Sequence, residues 1–112
     1  MKLKDIVAAL GLKVFNGGAN PEQEVCGCHV TDVMSDALKS VSEGMLWVTI
    51  QAHRNTIAIA SLRGVAAVVF SNGIVPRKDI IECAAAEGIA LLGTEASTFE
   101  IAGRIYNLIA VV

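Results

Sequence analysis

Aromatic and charged residues are both scarce in this chain. Of its 112 residues, 4% are aromatic and 18% are charged, and the net charge of -2 comes from interspersed acids and bases. Proteins that bind nucleic acid use basic patches and stacked aromatic side chains, so nucleic acid is not an expected partner. Hydrophobic residues reach 54%, which leaves little charge for the surface. We therefore expect a second copy of the chain to cover apolar surface, most simply in a homodimer.

Long apolar runs are also missing. A membrane span needs ~18 uninterrupted apolar residues, so no membrane association is expected. The short run IVAALGL lies between Asp5 and Lys13 and predicts an amphipathic helix rather than a signal peptide. Three cysteines are an odd number, and without a secretory signal they do not predict a disulfide framework. The chain is therefore expected to be cytoplasmic, with reduced thiols.

One structural unit occurs three times from Met45 onward: an apolar run, a short polar break, and a segment of helical period. The runs are MLWVTI, VAAVVFS and IALLGT, which start at Met45, Val65 and Ile89. Short apolar runs that alternate with helices are typical of βαβ units, whose parallel sheet is buried on both faces. The sequence therefore predicts an α/β fold, a mainly parallel sheet flanked by helices, in one domain over residues 1–112.

Capping signals place several helix ends. Ser97 and Glu100 form a capping box in STFE, and Asn55 is the expected N-cap of a helix that Gly64 ends. Pro76 and Gly88 are expected in the first turn and at the end of another helix. A further helix is predicted from Asp32 or Ser35 to Val41. The apolar residues assigned to these helices are Ile57, Ala58 and Leu62 in the first, Ile80, Ile81, Ala84 and Ala85 in the second, and Phe99, Ala102, Ile105 and Ile109, facing inward, in the last.

The segment EVCGCHV alternates like a strand and contains two of the cysteines. On a strand, Cys26 and Cys28 point to one face and His29 to the other, so the three cannot converge on one tetrahedral metal. Free cysteines commonly pack as small hydrophobic side chains, so we interpret both as buried and apolar. No metal ion and no cofactor are expected. Trp47 and Phe70, within strand runs, are predicted to be core residues.

A polar cluster follows the first of the three apolar runs. In a parallel sheet the C-terminal strand ends share one edge, where ligands of open α/β folds usually bind. The loops expected there are residues 51–55, 71–73 and 94–98. The candidate ligand-binding residues are His53, Arg54, Asn55, Ser71, Asn72, Gly73 and Thr94.

Arg54 has two interpretations. A cation in the first turn of a helix is unfavourable unless a negative group is nearby. Either Arg54 pairs with Glu95 or Asp32, or it holds a phosphate or carboxylate together with the helix N-terminus and the backbone of Asn72 and Gly73. His53 has no neighbouring nucleophile motif, so no catalytic residue is assigned and an enzyme is not expected.

The segment from Val25 to about Leu108 resembles the DRTGG domain, and most closely its small stand-alone members. The family's name comes from an Asp-Arg pair after one strand and a Thr-Gly-Gly after the next. At these positions the chain has His53-Arg54 and Ser71-Asn72-Gly73, so Arg54 and Gly73 match and Ser71 is a conservative replacement.

The resemblance implies an α/β domain like the N-terminal domain of HPr kinase/phosphorylase. Relatives also occur in phosphotransacetylases and beside CBS domains, which implies regulation by a small metabolite or nucleotide. Stand-alone relatives are often encoded among iron-only hydrogenase and electron-transfer components. The kinase chemistry of HPr kinase is not implied, because it belongs to a P-loop domain and this sequence has no P-loop motif.

Two functional hypotheses follow. The first is a non-catalytic regulatory module that binds a small anionic metabolite or nucleotide at the strand-end edge. The alternative is a dimeric interaction subunit of a metabolic or redox enzyme system, which docks on a partner enzyme and binds no small ligand.

Overall fold

The computed structural model of the chain describes residues 1–17 and 19–110. Helices and strands alternate along most of the chain, as the three apolar runs predict. The strands are β1 (Lys13–Val14), β2 (Gly27–Val30), β3 (Met45–Thr49), β4 (Ala67–Phe70) and β5 (Ala90–Gly93). The helices are α1 (Leu3–Leu10), α2 (Met34–Ser40), α3 (Arg54–Arg63), α4 (Lys78–Ala86), α5 (Thr98–Ile105) and a π-helical segment (Tyr106–Ala110).

The five strands form one sheet in the order β1-β5-β4-β3-β2. Strands β2 to β5 pair in parallel, whereas β1 pairs antiparallel with β5. The prediction of an α/β fold with a mainly parallel sheet is therefore confirmed. Among the described residues, no helix combines the length and apolar content needed to cross a bilayer.

The sheet is covered on both faces. Side chains that alternate along β3 illustrate this: Leu46 and Val48 pack with α1 and α5, whereas Trp47 packs with α2, α3 and α4. Trp47 and Phe70 are fully buried, as predicted. Every residue of β4 and β5 is buried, which explains why these strands are apolar throughout instead of alternating.

Local capping signals are confirmed at several helix ends. In α5 the Ser97 hydroxyl accepts from the Glu100 N–H at 3.1 Å, and the Ser97 N–H donates to the Glu100 carboxylate at 3.3 Å. Gly64 ends α3 in the left-handed conformation, with φ +72°. This conformation is favourable for glycine because it has no Cβ.

Three of the helix starts differ from prediction. Helix α3 begins at Arg54 with His53 at the N-cap position, so the assignment of Asn55 as the cap is wrong. Helix α2 begins at Met34 rather than at Asp32 or Ser35, because the Asp32 carboxylate bonds to β3 instead. Pro76 precedes α4 instead of lying in its first turn.

Four apolar residues and one cysteine are more exposed than predicted: Phe99, Leu62, Ala58, Ala85 and Cys26. Phe99 is 88% exposed, because the buried stripe of α5 runs through Ile101 and Ile105 and a residue two positions from Ile101 points away from it. Leu62 of α3 is 75% exposed for the same reason, being two positions beyond the buried Ala60. The interpretation of Cys26 as buried is also wrong, since it is exposed.

Replacing Ile101 and Phe99 separately by alanine tests this orientation of α5. Ile101→Ala should lower the free energy of unfolding by about 2–5 kcal/mol because it removes a fully buried side chain. Phe99→Ala should change it by less than about 0.5 kcal/mol. Urea denaturation at low protein concentration measures both values. Similar losses in the two variants would contradict the orientation of the helix.

Candidate functional site

The C-terminal ends of three neighbouring strands meet at one edge of the sheet. Thr49, Phe70 and Gly93 are aligned across β3, β4 and β5 by the parallel register. The loops that follow these strands, residues 51–55, 71–73 and 94–98, therefore lie side by side, as the sequence predicts.

The loop after β4 is fixed to the start of α5 by side-chain hydrogen bonds. Ser71 is fully buried, and its hydroxyl lies 2.6 Å from the hydroxyl of Thr98. The Asn72 amide donates to Ser71 Oγ at 3.2 Å and to Thr98 Oγ1 at 3.1 Å. A buried hydroxyl needs such partners because an unsatisfied one is costly. Ser71 thus has a structural role at the edge, and its hydroxyl is out of direct reach of a ligand.

The backbone of this loop is also committed to internal bonds. The Asn72 N–H donates to the Ala96 carbonyl at 2.8 Å, and the Gly73 N–H donates to the Thr94 carbonyl at 2.9 Å. The Thr94 hydroxyl accepts from the Ala96 N–H at 3.1 Å. These two backbone donors, which the sequence suggested for anion binding, are occupied in this structure. An anion at this edge would therefore be held by side chains.

The loop after β3 carries His53, Arg54 and Asn55, all exposed. Arg54 Nη2 lies 3.5 Å from Asp79 Oδ2, at the start of α4, so the predicted pairing with Glu95 or Asp32 is wrong. Asp32 instead accepts from the Thr49 hydroxyl at 2.8 Å and from the Ile50 N–H at 2.9 Å.

Two arginines share the carboxylate of Asp79. Arg77 donates to both of its oxygens, at 3.0 and 3.1 Å, while Arg54 approaches from α3. Hydrogen bonding from Arg77, with a smaller Coulombic contribution from Arg54, holds the pKa of Asp79 below its ordinary value. One carboxylate thus serves two guanidinium groups, and this exposed surface keeps an excess of positive charge.

A groove of about 610 Å³ opens at the same edge, toward α1 and β1. Of the seven candidate residues, Gly73 and Thr94 line it, whereas the other five do not. Its ionic side chains are Lys13, Glu95, Glu100 and Arg104. Part of the predicted set therefore borders this groove, and the rest lies in the buried Ser71 network or on the Arg54 surface.

Aromatic and glycine residues shape the groove wall. The Phe15 ring packs over Gly93, where a Cβ would lie only 2.5 Å from the ring, and the Lys13 ammonium lies 5.3 Å from the ring centroid. The Glu95 carboxylate approaches Gly73 so closely that a Cβ there would lie 2.6 Å from its oxygen. A side chain at Gly93 would therefore displace the Phe15 ring, and one at Gly73 would displace the Glu95 carboxylate.

Sequence reasoning missed the two cations of the groove. Lys13 reaches it because β1 pairs with β5 at Gly93, which is a long-range contact. Arg104 lies on α5 and is 3.6 Å from Glu100, one turn earlier. The i,i+4 spacing of Glu100 and Arg104 is visible in the sequence, but it indicates only an exposed helix face. Within residues 1–17 and 19–110, no group of three or more His, Cys, Asp or Glu side chains is arranged to hold a metal.

The paired Asp79 gives a pH-dependent prediction. A carboxylate whose pKa is lowered by folding adds stability above its unfolded pKa, and this stability is lost as the pH falls through the lower folded value. Asp79→Asn should therefore reduce the free energy of unfolding at pH 7, and the difference from the wild type should shrink below about pH 3.9. Urea denaturation at pH 7 and pH 3 measures the two differences. A difference that is equal at both values would contradict the ion pair.

Comparison with known structures supports the fold. One similar structure is the CBS and DRTGG domains of the regulatory region of Clostridium perfringens pyrophosphatase, complexed with the activator diadenosine tetraphosphate, with a TM-score of 0.68 and 22% sequence identity. The alignment covers 93% of this chain and 45% of that one, so this chain matches less than half of the regulatory region. A comparison with curated proteins found no significant match.

A family model provides the assignment that the fold alone does not. The DRTGG domain model matches residues 5–108, which is nearly the whole chain and extends beyond Val25 on the N-terminal side. The retained Arg54 and Gly73 lie within this match. This chain belongs to the DRTGG domain family.

Proposed function

We propose that this protein is a non-catalytic regulatory module that binds a small anionic metabolite or nucleotide at the C-terminal edge of its sheet. The observation that carries the proposal is the groove of about 610 Å³ at that edge. Small-molecule sites are commonly clefts of about 300–1,000 Å³, and in open α/β sheets they lie beyond the carboxyl ends of the strands.

The groove has two cationic and two acidic side chains, which suit a ligand that carries both anionic groups and hydrogen-bond donors. Lys13 and Arg104 supply cationic groups, and Arg104 is only weakly paired with Glu100, at 3.6 Å with both side chains half exposed. Glu95 and Glu100 supply acceptors for hydroxyl or amino groups of the ligand. Phosphorylated metabolites and nucleotides combine these features.

Nucleotides also have support from the structural neighbour. The pyrophosphatase regulatory region, which contains a DRTGG domain, was solved with a dinucleotide activator. Nucleotides and dinucleotides are therefore the first ligands to test. The surface formed by Arg54, Arg77 and Asp79 is a second location where a phosphate would be attracted, because two arginines share one acid there.

A regulatory role without catalysis agrees with the edge chemistry. The hydroxyls at this edge have partners other than His53: Ser71 and Thr98 bond to each other, Thr49 donates to Asp32, and Thr94 accepts from the Ala96 N–H. A nucleophile and its base need to lie within hydrogen-bond reach of each other. We accordingly expect no turnover with the ligands that bind.

Ligand binding can be tested by thermal unfolding and calorimetry against nucleotides, dinucleotides, phosphorylated metabolites and simple anions. Ligand at a hundred times its Kd adds about 2.7 kcal/mol to stability, enough to raise Tm by several degrees. Lys13→Ala and Arg104→Ala each remove a charged contact worth about 1.5–3 kcal/mol, which corresponds to about 10–100-fold weaker binding.

Two further variants complete this test. Lys39→Ala removes an exposed cation near the C-terminus of α2, away from the edge, and should leave the Kd unchanged. Arg54→Ala distinguishes binding in the groove from binding at the arginine surface. If binding is lost in Arg54→Ala but kept in Lys13→Ala and Arg104→Ala, the ligand site is at the arginine surface. The absence of a thermal shift across the whole panel would contradict the proposal.

A second candidate function is a dimeric interaction subunit that docks on a partner enzyme. Phe99 favours it, since an aromatic ring that is 88% exposed at the start of α5 is a typical interface residue. Tyr106, at the far end of the same helical stretch, is 65% exposed. The apolar surplus of the sequence points in the same direction.

Dimerisation through this surface can be tested by light scattering coupled to size-exclusion chromatography. Phe99→Glu should convert a dimer to a monomer without unfolding it, because an acidic residue is favourable in the first turn of a helix. Leu62→Glu, on the opposite face of the sheet, is the matched control and should leave the dimer intact. A monomeric wild-type protein, or a dimer that Phe99→Glu does not disturb, would contradict this arrangement.

A further inference from the structure

A second groove, of about 390 Å³, lies between the edge strand β2 and the C-terminal helical stretch. Both Cys26 and Cys28 line it, so the two thiols share one opening. On the far side are Ile105 of α5 and Tyr106 and Ile109 of the π-helical segment. Such π-helical turns are rare and occur frequently at functional sites. This groove lies along β2, the outermost strand on one side of the sheet. The groove proposed for the anionic ligand lies beside β1 and β5, on the opposite side of the sheet.

Cys26 immediately precedes β2, and its thiol donates to the Glu43 carbonyl at 3.2 Å, a bond that a metal ion would replace. The Cys26 N–H donates to the Gly44 carbonyl at 2.9 Å, which continues the pairing of β2 with the chain before β3. Because this bond extends the β2 pairing by one residue, Cys26 and Cys28 are two positions apart in extended chain, where side chains point to the same face roughly 6.6 Å apart. A disulfide requires Cβ atoms about 3.8 Å apart, so it would force the backbone to move. A bridging metal ion suits the spacing better, because two bonds of ~2.3 Å in a linear arrangement separate the sulfurs by about 4.6 Å.

The donor chemistry of this groove is soft. The residues that line it include no carboxylate, imidazole or ammonium group, and the Tyr106 phenol is the one side-chain heteroatom besides the two sulfurs. His29, the residue after Cys28, lies on the other face of β2, and its Nε2 is 2.8 Å from Asp36 Oδ2. A tetrahedral zinc site therefore lacks ligands, whereas an ion that prefers few thiolate ligands does not.

We propose that Cys26 and Cys28 together bind one thiophilic metal ion of low coordination number, with Cu(I) as the probe. The ion forms two metal–sulfur bonds and displaces the two thiol protons. The exposed Cys26 gives the ion its point of entry, and Cys28, which packs partly into the core, anchors it.

The third cysteine of the chain supplies the control for a direct test. The full-length protein is titrated with Cu(I) anaerobically, against a chromophoric Cu(I) chelator, and one equivalent should be withdrawn from the chelator. Cys26→Ser and Cys28→Ser should each abolish this stoichiometric binding. Cys83→Ser, which changes a half-buried thiol on α4, should retain one equivalent. Circular dichroism verifies folding, and Cys28→Ala replaces Cys28→Ser if the serine variant unfolds.

Several results would overturn the proposal. One is that the wild-type protein withdraws no Cu(I) from the chelator. Another is that Cys26→Ser still binds one equivalent of Cu(I), or that Cys83→Ser does not. Binding of Zn(II) as tight as that of Cu(I) would also overturn it, because zinc needs four ligands. An intact mass two daltons below the reduced value, traced to a Cys26–Cys28 disulfide, would show that the strand does not hold the sulfurs apart.

Discussion

The parallel pairing of β2 to β5 is the constraint on which the rest of the molecule depends. It aligns Thr49, Phe70 and Gly93 at the ends of three adjacent strands and buries both faces of the sheet under helices. Strands β3 to β5, covered in this way, contain no charged residue, so charged groups near the sheet lie at its outer strands and at the strand ends. Function in this chain is therefore expected where strands end rather than where they pack.

The strand ends use much of their polar capacity to hold the fold together. Asp32 joins the end of β2 to the end of β3, and Ser71, Asn72 and Thr98 join β4 to α5. These groups are therefore satisfied internally. Lys13 and Arg104 extend longer side chains into the neighbouring groove, and Arg54 extends to Asp79 on α4. In the proposed function these longer side chains, rather than the strand-end hydroxyls, contact the ligand.

The sequence predicted the features that are encoded locally. Apolar runs identified the buried strands, the capping box at Ser97 identified the start of α5, and glycines such as Gly64 identified helix ends. The helix faces were harder to predict, because α3 and α5 are short and tertiary packing sets which side is buried. The sequence predicts Phe99 and Leu62 in the apolar stripes of their helices. The buried stripes run instead through Ile101 and Ile105 in α5 and through Ala60 in α3.

The candidate site could be predicted only in outline. The parallel topology located the edge, but the partner of Arg54 is Asp79 on the next helix, and no local pattern connects the two. The groove depends on the antiparallel pairing of β1 with β5, which brings Lys13 to the end of β5. Contacts between residues so far apart in the sequence are set by the packed fold, and hydrophobic periodicity and capping signals do not predict them.

The residues at the family-motif positions suit the backbone that this loop adopts. In the position of the first glycine of Thr-Gly-Gly stands Asn72, with φ +59°, and asparagine is among the residues that best tolerate this left-handed conformation. Its amide also bonds to Ser71 and Thr98, which a glycine has no side chain to do. Gly73 keeps φ +69° and leaves space for the Glu95 carboxylate. The loop thus needs a residue that tolerates the left-handed conformation at position 72, and asparagine meets this need while adding contacts that glycine lacks. In the proposed function, ligand preference then depends on the groove side chains Lys13 and Arg104 rather than on the motif positions.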